Sequence, residues 1–115
     1  MTRLLILLAL YATPLLAIDV DREYRCICAV ETGGRDLAGR SGERGPAQIG
    51  TAARVTIRGK AIDYVRWLIQ ITTDPTPYRI ALAHHCGPTG MQHPNRLQRD
   101  YAQRVANLYG DPTFR

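Results

Sequence analysis

Beyond residue 17, no alternating run of Val, Ile or Thr is long enough to form a strand, whereas apolar residues recur at helical spacing. Glycine and proline interrupt this pattern repeatedly and divide it into short segments. The pattern predicts five helices, over residues 21–31, 46–55, 60–72, 78–86 and 95–109. We therefore expect a small, all-α, single domain without internal repeats.

The first 17 residues differ in composition from the predicted domain. Arg3 precedes an apolar run, and the small Ala17 closes the segment. This order is typical of a secretory signal peptide, and the run is shorter than the ~20 residues that span a bilayer. We expect cleavage after Ala17, with an uncleaved N-terminal anchor as the alternative. The mature domain would be residues 18–115, secreted or periplasmic, with no stable membrane span after cleavage.

Export bears on the three cysteines, because an oxidising compartment favours disulfides. Cys26 and Cys28 point about 200° apart on a helix, which places them poorly for bridging each other. The sequence therefore predicts a disulfide from Cys86 to either Cys26 or Cys28, and the spacing does not choose between them. The alternative is that all three are free, buried thiols.

The net charge of +5 comes from 15 Lys+Arg against 10 Asp+Glu, and Lys60 is the only lysine. This charge predicts an anionic partner, such as nucleic acid, anionic lipid or cell-wall glycan. No nucleic-acid-binding motif accompanies the arginines, so we expect no nucleic acid partner. The segment 84–86 together with His93 has no standard zinc spacing, so we expect neither a metal nor another cofactor.

Glu31 is the most unusual of the three glutamates, because it follows the apolar segment 26–30 and precedes a Gly- and Arg-rich loop. Burial there would raise the pKa of its carboxyl, although nearby arginines would oppose the shift. A raised pKa suits a general acid. The alternative is an exposed charge at a helix end, or one paired with an arginine.

Several blocks, in the same order, resemble the SLT domain of lytic transglycosylases in the lysozyme-like superfamily. Residues 31–34 (ETGG) resemble its E-S-G-G turn, and Ser41 with residues 45–49 (GPAQI) resembles its S-x-x-G-A-x-G-L-M-Q-I loop. Residues 80–88 (IALAHHCGP) resemble its A-L-A-x-Y-N-A-G-P segment, and residues 101–105 (YAQRV) its Y-V-x-x-V helix. The resemblance covers about residues 21–109 and implies a lysozyme-like helical fold.

The resemblance also implies an activity, namely lytic cleavage of the MurNAc-GlcNAc β-1,4 bond of peptidoglycan to a 1,6-anhydro end. Glu31 would be the only catalytic acid and base. Two alternatives are a hydrolytic, lysozyme-type muramidase, which uses two carboxylates, and a secreted glycan-binding domain without catalysis. Peptidoglycan strands would be the partner of a monomeric protein.

The same resemblance assigns the substrate-binding residues. These are Ser41, Gln48, His84, His85 and Tyr101. His84 and His85 stand where the family has Tyr and Asn, and imidazoles also donate, accept and stack, with a charge that depends on pH. The alternatives are ordinary loop hydrogen bonds for Ser41 and Gln48, and a core-facing aromatic role for Tyr101.

Overall fold

The structure is a computed structural model that describes residues 18–40, 42–50, 53 and 59–115. In that part of the chain, four α-helices and one 3₁₀ helix hold most of the residues. They are α1 (Val20–Thr32), α2 (Ala61–Ile71), α3 (Pro77–Cys86), the 3₁₀ helix (Pro88–Gln92) and α4 (Arg96–Gly110). The same part contains no strand, only two isolated bridges, and the all-α prediction is confirmed.

The helix ends follow from local sequence chemistry. The side chains of Asp19, Thr76 and Asn95 accept hydrogen bonds from the first turns of α1, α3 and α4, whose backbone N–H groups would otherwise lack partners. Gly33 ends α1 with a left-handed φ of 66°, which costs glycine little. Four of the predicted helices therefore have ends within one residue of those observed.

The predicted helix over residues 46–55 is wrong at its start. Residues 45–48 form a turn, and Ile49 bridges back to Arg44. Gly45 and Gln48 have φ values of 82° and 52°, which a right-handed helix cannot accommodate. Ala53 is helical, and the remaining positions from 51 to 58 lie outside the described residues.

Helix α3 lies in the centre of the core. Its residues Ile80, Ala81 and Ala83 are fully buried, and its most extensive helix contact is with α4. Helix α4 also packs on α1, and α2 packs on both α1 and α3. Burial of these apolar faces supplies the main drive for folding, and the packing brings the last turns of α1 and α3 together.

The three cysteines are free in the structure, so the predicted disulfide from Cys86 to Cys26 or Cys28 is not formed. Cys26 and Cys28 are buried on α1, and Cys86 is partly buried at the end of α3. Burial raises the pKa of the Cys26 thiol to about 11, which keeps it protonated near neutral pH.

Two further predictions concern the N-terminus and the membrane. The predicted signal peptide, residues 1–17, lies outside the described residues. Within the described ranges, no helix has both the length and the apolar character needed to cross a bilayer.

Arg22 ties α1 to the C-terminal segment. Its guanidinium donates to the backbone carbonyls of Tyr109 at 2.8 Å and Phe114 at 2.7 Å, and also to those of Leu108 and Asp111. Its Cζ lies 5.7 Å from the ring centres of both Tyr109 and Phe114. One cation therefore satisfies carbonyls at the end of α4 and just beyond it.

Replacing Arg22 should destabilise the fold. We expect Arg22→Ala to lower the free energy of unfolding by about 3 kcal/mol, because part-buried carbonyls lose a charged donor. Chemical denaturation monitored by helical circular dichroism measures this change. Arg25→Ala, which removes an exposed arginine from the same helix, should change stability by less than about 0.5 kcal/mol. Equal losses of stability in the two variants would contradict a specific stabilising role for the contacts of Arg22.

Candidate active site

Glu31 lies in the last turn of α1, and its side chain is only 19% exposed. The C-terminal end of a helix carries partial negative charge, which disfavours an ionised carboxylate. The turn contains no basic residue of its own. Compensation comes from α3, where His84 Nε2 lies 3.3 Å from Glu31 Oε1.

His84 joins three parts of the fold and is itself only 5% exposed. Its Nε2 lies 2.8 Å from the carbonyl oxygen of Ala47, in the loop after α1. A carbonyl only accepts, so Nε2 must carry a hydrogen, and Glu31 lies near the same N–H. On the other side of the ring, Nδ1 lies 3.2 Å from the Tyr64 hydroxyl of α2. The imidazole is thus held by α2, the loop and Glu31 together.

Aromatic rings surround the two histidines. The Tyr101 ring centre lies 4.5 Å from that of His85 and 6.5 Å from that of His84, and the Tyr64 ring meets His84 edge-on at 5.5 Å. Burial and then the charge of Glu31 raise the pKa of both phenols, that of Tyr64 to about 12. Both hydroxyls therefore stay protonated and available as donors beside the carboxylate.

The pKa of Glu31 is lowered, which corrects the predicted rise. Burial raises this pKa, as expected, but the neighbouring imidazole of His84, the hydroxyl of Tyr101 and the charge of His85 together lower it by more. The predicted opposing charge thus exists, but it comes from histidines of α3 and not from the arginine-rich loop. When both imidazoles are neutral, their charges no longer lower the pKa of Glu31, and burial has a larger share in setting it.

The carboxylate opens onto a polar cavity of about 450 Å³. Its walls come from α1, the following loop, α2 and α3. The lining residues are Glu31, Gly39, Arg40, Glu43, Gln48, Gly50, Tyr64, His84 and His85. A cavity of this size takes a sugar-sized ligand, and its polar groups suit hydroxyl-rich chemistry.

The loop after α1 folds tightly around Gly39. A Cβ atom there would clash with Glu43 Oε2 and would lie 2.6 Å from Gln48 Oε1, so a larger residue would fit only if the ends of these two side chains moved. The Gln48 amide donates to the carbonyl oxygens of Leu37 at 2.7 Å and Gly45 at 2.9 Å. Gln48 therefore lines the cavity and also braces the loop, with a left-handed φ of 52° that is costly for a residue other than glycine.

The structure brings five of the six predicted site residues together. Glu31, Gln48, His84 and His85 line the cavity, and Tyr101 packs against His85. His84 is almost fully enclosed by protein groups, whereas His85 is exposed. Ser41 lies outside the described residues.

The sequence prediction missed Tyr64, Arg40 and Glu43 as cavity residues. Tyr64 lies within the predicted helix over residues 60–72, and helical spacing alone does not distinguish a core aromatic residue from one whose hydroxyl meets a buried polar partner. Arg40 and Glu43 reach the cavity because the glycine-rich loop folds back on itself. Among the residues that the structure describes, no group of three or more His, Cys, Asp or Glu side chains could hold a metal ion.

Comparison with known proteins gives no further guide: no family model matches the chain, and no curated protein or solved structure matches it significantly.

Proposed function

We propose that this protein is a lytic transglycosylase with a lysozyme-like fold, which cleaves the MurNAc-GlcNAc β-1,4 bond of peptidoglycan. The observation that carries the proposal is the largely buried Glu31 carboxylate at a polar cavity of about 450 Å³, in contact with His84. The blocks that resemble the SLT domain are spread over residues 31–105, and residues from each of them meet around this cavity.

One carboxyl group suffices for the proposed reaction. Glu31 protonates the glycosidic oxygen while the bond from this oxygen to C1 of MurNAc breaks. The resulting carboxylate then takes the proton of the C6 hydroxyl, and the C6 oxygen bonds to C1. Glu31 ends protonated, and the product carries a 1,6-anhydro ring without consumption of water.

The charge of the chain fits this substrate. The net charge of +5 attracts anionic wall polymers, and Arg40 places one positive group in the cavity itself. Such attraction weakens with salt because the charges are exposed. The proposal includes export to the periplasm or beyond, where peptidoglycan lies.

Identification of the product ends tests the reaction type. Purified peptidoglycan is digested with the mature protein, and the fragments are analysed by mass spectrometry. Fragments with 1,6-anhydro ends, 18 mass units lighter than their hydrolysed counterparts because no water is added, are expected. Fragments that all carry reducing ends would contradict transglycosylation, and intact glycan would contradict cleavage altogether.

Hydrolysis is the second candidate, because Glu43 lines the same cavity as Glu31. Two carboxylates on either side of a glycosidic bond are the usual hydrolytic arrangement. If the reaction is a transglycosylation, Glu43→Gln should lower kcat by less than about tenfold and leave anhydro ends unchanged. A loss of about 100-fold or more, together with reducing ends in the wild-type digest, would assign Glu43 as the second catalytic carboxylate. Rate measurement and end analysis on one digest decide between the two.

A further inference from the structure

His84 makes contacts that a simple substrate-binding side chain does not need. Both of its ring nitrogens contact protein groups, with Ala47 and Glu31 at Nε2 and Tyr64 at Nδ1. Its side chain is 5% exposed, so little of the ring remains for a sugar. The ring therefore contacts mainly protein groups, the Glu31 carboxylate among them.

We propose that His84 is a positioning residue for Glu31. Its imidazole, held by Ala47 and Tyr64, keeps the carboxylate in place by the 3.3 Å contact, and its charge sets when the carboxylate gains its proton. This inference rests on the proposed function for its catalytic meaning. The contact itself is a property of the folded protein and can be tested without substrate.

The geometry gives His84 a fixed ring orientation. Ala47 O requires a donor at Nε2, so neutral His84 carries its hydrogen there and accepts from the Tyr64 hydroxyl at Nδ1. A second proton goes to Nδ1, with the Tyr64 hydroxyl turning to accept. Protonation therefore adds a positive charge beside Glu31 without moving the ring.

Other titratable groups surround Glu31 on the neighbouring elements. His85 and Tyr101 lie on α3 and α4, Cys28 lies on the same helix as Glu31, and Arg40 and Glu43 line the cavity from the loop. Of the groups that lower the pKa of Glu31, His84 acts most strongly, and His85 acts least. The dominant charge partner is thus the buried imidazole.

The sign of the pH effect follows from these contacts. Removing the imidazole leaves burial as the main influence, so the pKa of Glu31 should rise. A general acid works while it is protonated, so its activity is lost as the pH rises past its pKa. The basic limb of the pH profile should therefore move to higher pH in a variant without the imidazole.

The first experiment needs no substrate. Glutamate labelled with ¹³C at Cδ gives three signals, because the chain contains only three glutamates, and Glu31→Gln identifies the signal of Glu31. We compare the titration of that signal in the wild type and in His84→Gln, which keeps an N–H donor but cannot carry charge. The Glu31 signal should titrate at higher pH in His84→Gln. It should not change in His93→Gln, which alters an exposed histidine outside the cavity.

The second experiment measures cleavage. His84→Gln should retain kcat at acidic pH within about threefold and show the shifted basic limb. His84→Leu removes both the donor and the charge, and kcat should fall by at least about tenfold, while KM stays within about twofold because only 5% of the His84 side chain is exposed. A higher kcat for His84→Gln than for His84→Leu would indicate that the N–H donor positions Glu31, whereas equal losses of kcat would indicate a packing role. Circular dichroism verifies that both variants fold.

The two experiments fail separately. An unchanged Glu31 titration in folded His84→Gln would overturn the inference, whatever the protein does to glycan. A shifted titration in a protein that cleaves no glycan would support the pairing of the two residues and overturn the proposed function. An unshifted pH profile in an active His84→Gln would overturn the positioning role of His84 in the reaction.

Discussion

Glu31→Gln should lose peptidoglycan cleavage by about 1,000-fold or more in kcat, with its fold retained. The amide has the shape of the carboxyl and can keep the contact with His84, whose Nε2 atom lies 3.3 Å from Glu31 Oε1 in the wild type. It cannot donate a proton to a glycosidic oxygen or remove one from the C6 hydroxyl. General acid and base catalysis contributes about 10²–10⁴-fold per group, and the proposed mechanism uses this one group twice.

Rates of release of soluble fragments, together with glycan pull-down, check this expectation. Asp100→Asn serves as the control, because it neutralises an exposed carboxylate on α4, and its rate should match the wild type. A folded Glu31→Gln that retains more than about a tenth of the activity would exclude Glu31 as the essential acid. Binding without cleavage by both proteins would favour the non-catalytic glycan-binding alternative.

The second large effect concerns Glu23, which is fully buried on α1. Within the described part of the chain, neither of its carboxyl oxygens has a hydrogen-bond partner, and burial raises its pKa from 4.5 to about 8. Below about pH 4.5 the group is protonated in both folded and unfolded chains. Between pH 4.5 and 8 only the unfolded chain ionises, so the free energy of unfolding should fall by up to about 5 kcal/mol across this range.

Replacement of Glu23 by methionine tests this expectation. Methionine has a similar length and no charge, so Glu23→Met should remove the loss between pH 4.5 and 8 and exceed the wild type in stability at pH 8. Urea denaturation at several pH values measures the effect, with Asp21→Asn, an exposed neighbour on α1, as the control. A wild-type stability that does not decrease across this range would contradict a protonated Glu23.

Glu31 acts on stability in the opposite direction. The pKa of Glu31 is lower in the folded protein than in the unfolded chain. Its ionised carboxylate therefore stabilises the fold above its ordinary pKa, and this stabilisation is lost as the pH falls through the folded value. The two glutamates therefore act in different pH ranges. The three carboxyl signals of labelled glutamate can distinguish them, since Glu23 should titrate near pH 8 and Glu31 below 4.5.

The helices were predictable because their signals are local. Apolar spacing, the caps at Asp19, Thr76 and Asn95, and the stop at Gly33 depend on residues only a few positions apart. The one wrong helix start, at Pro46, has the same cause. Proline favours a first helical turn, but Gly45 and Gln48 adopt left-handed conformations in which the loop packs back on residues 37–39.

The sequence by itself determined the helical class and most helix boundaries. It also singled out Glu31 as the candidate acid, since an acid after an apolar run and before a glycine turn is visible without coordinates. Only the tertiary structure decided the charge environment of that acid. Its partners lie on α3 and α4, far from it in sequence, and burial and counter-charge shift the pKa in opposite directions. The balance at Glu31 depends on distances between helices, which no local sequence pattern contains. Tertiary packing also buries Glu23, so that Glu23, rather than Glu31, is the carboxyl with the raised pKa.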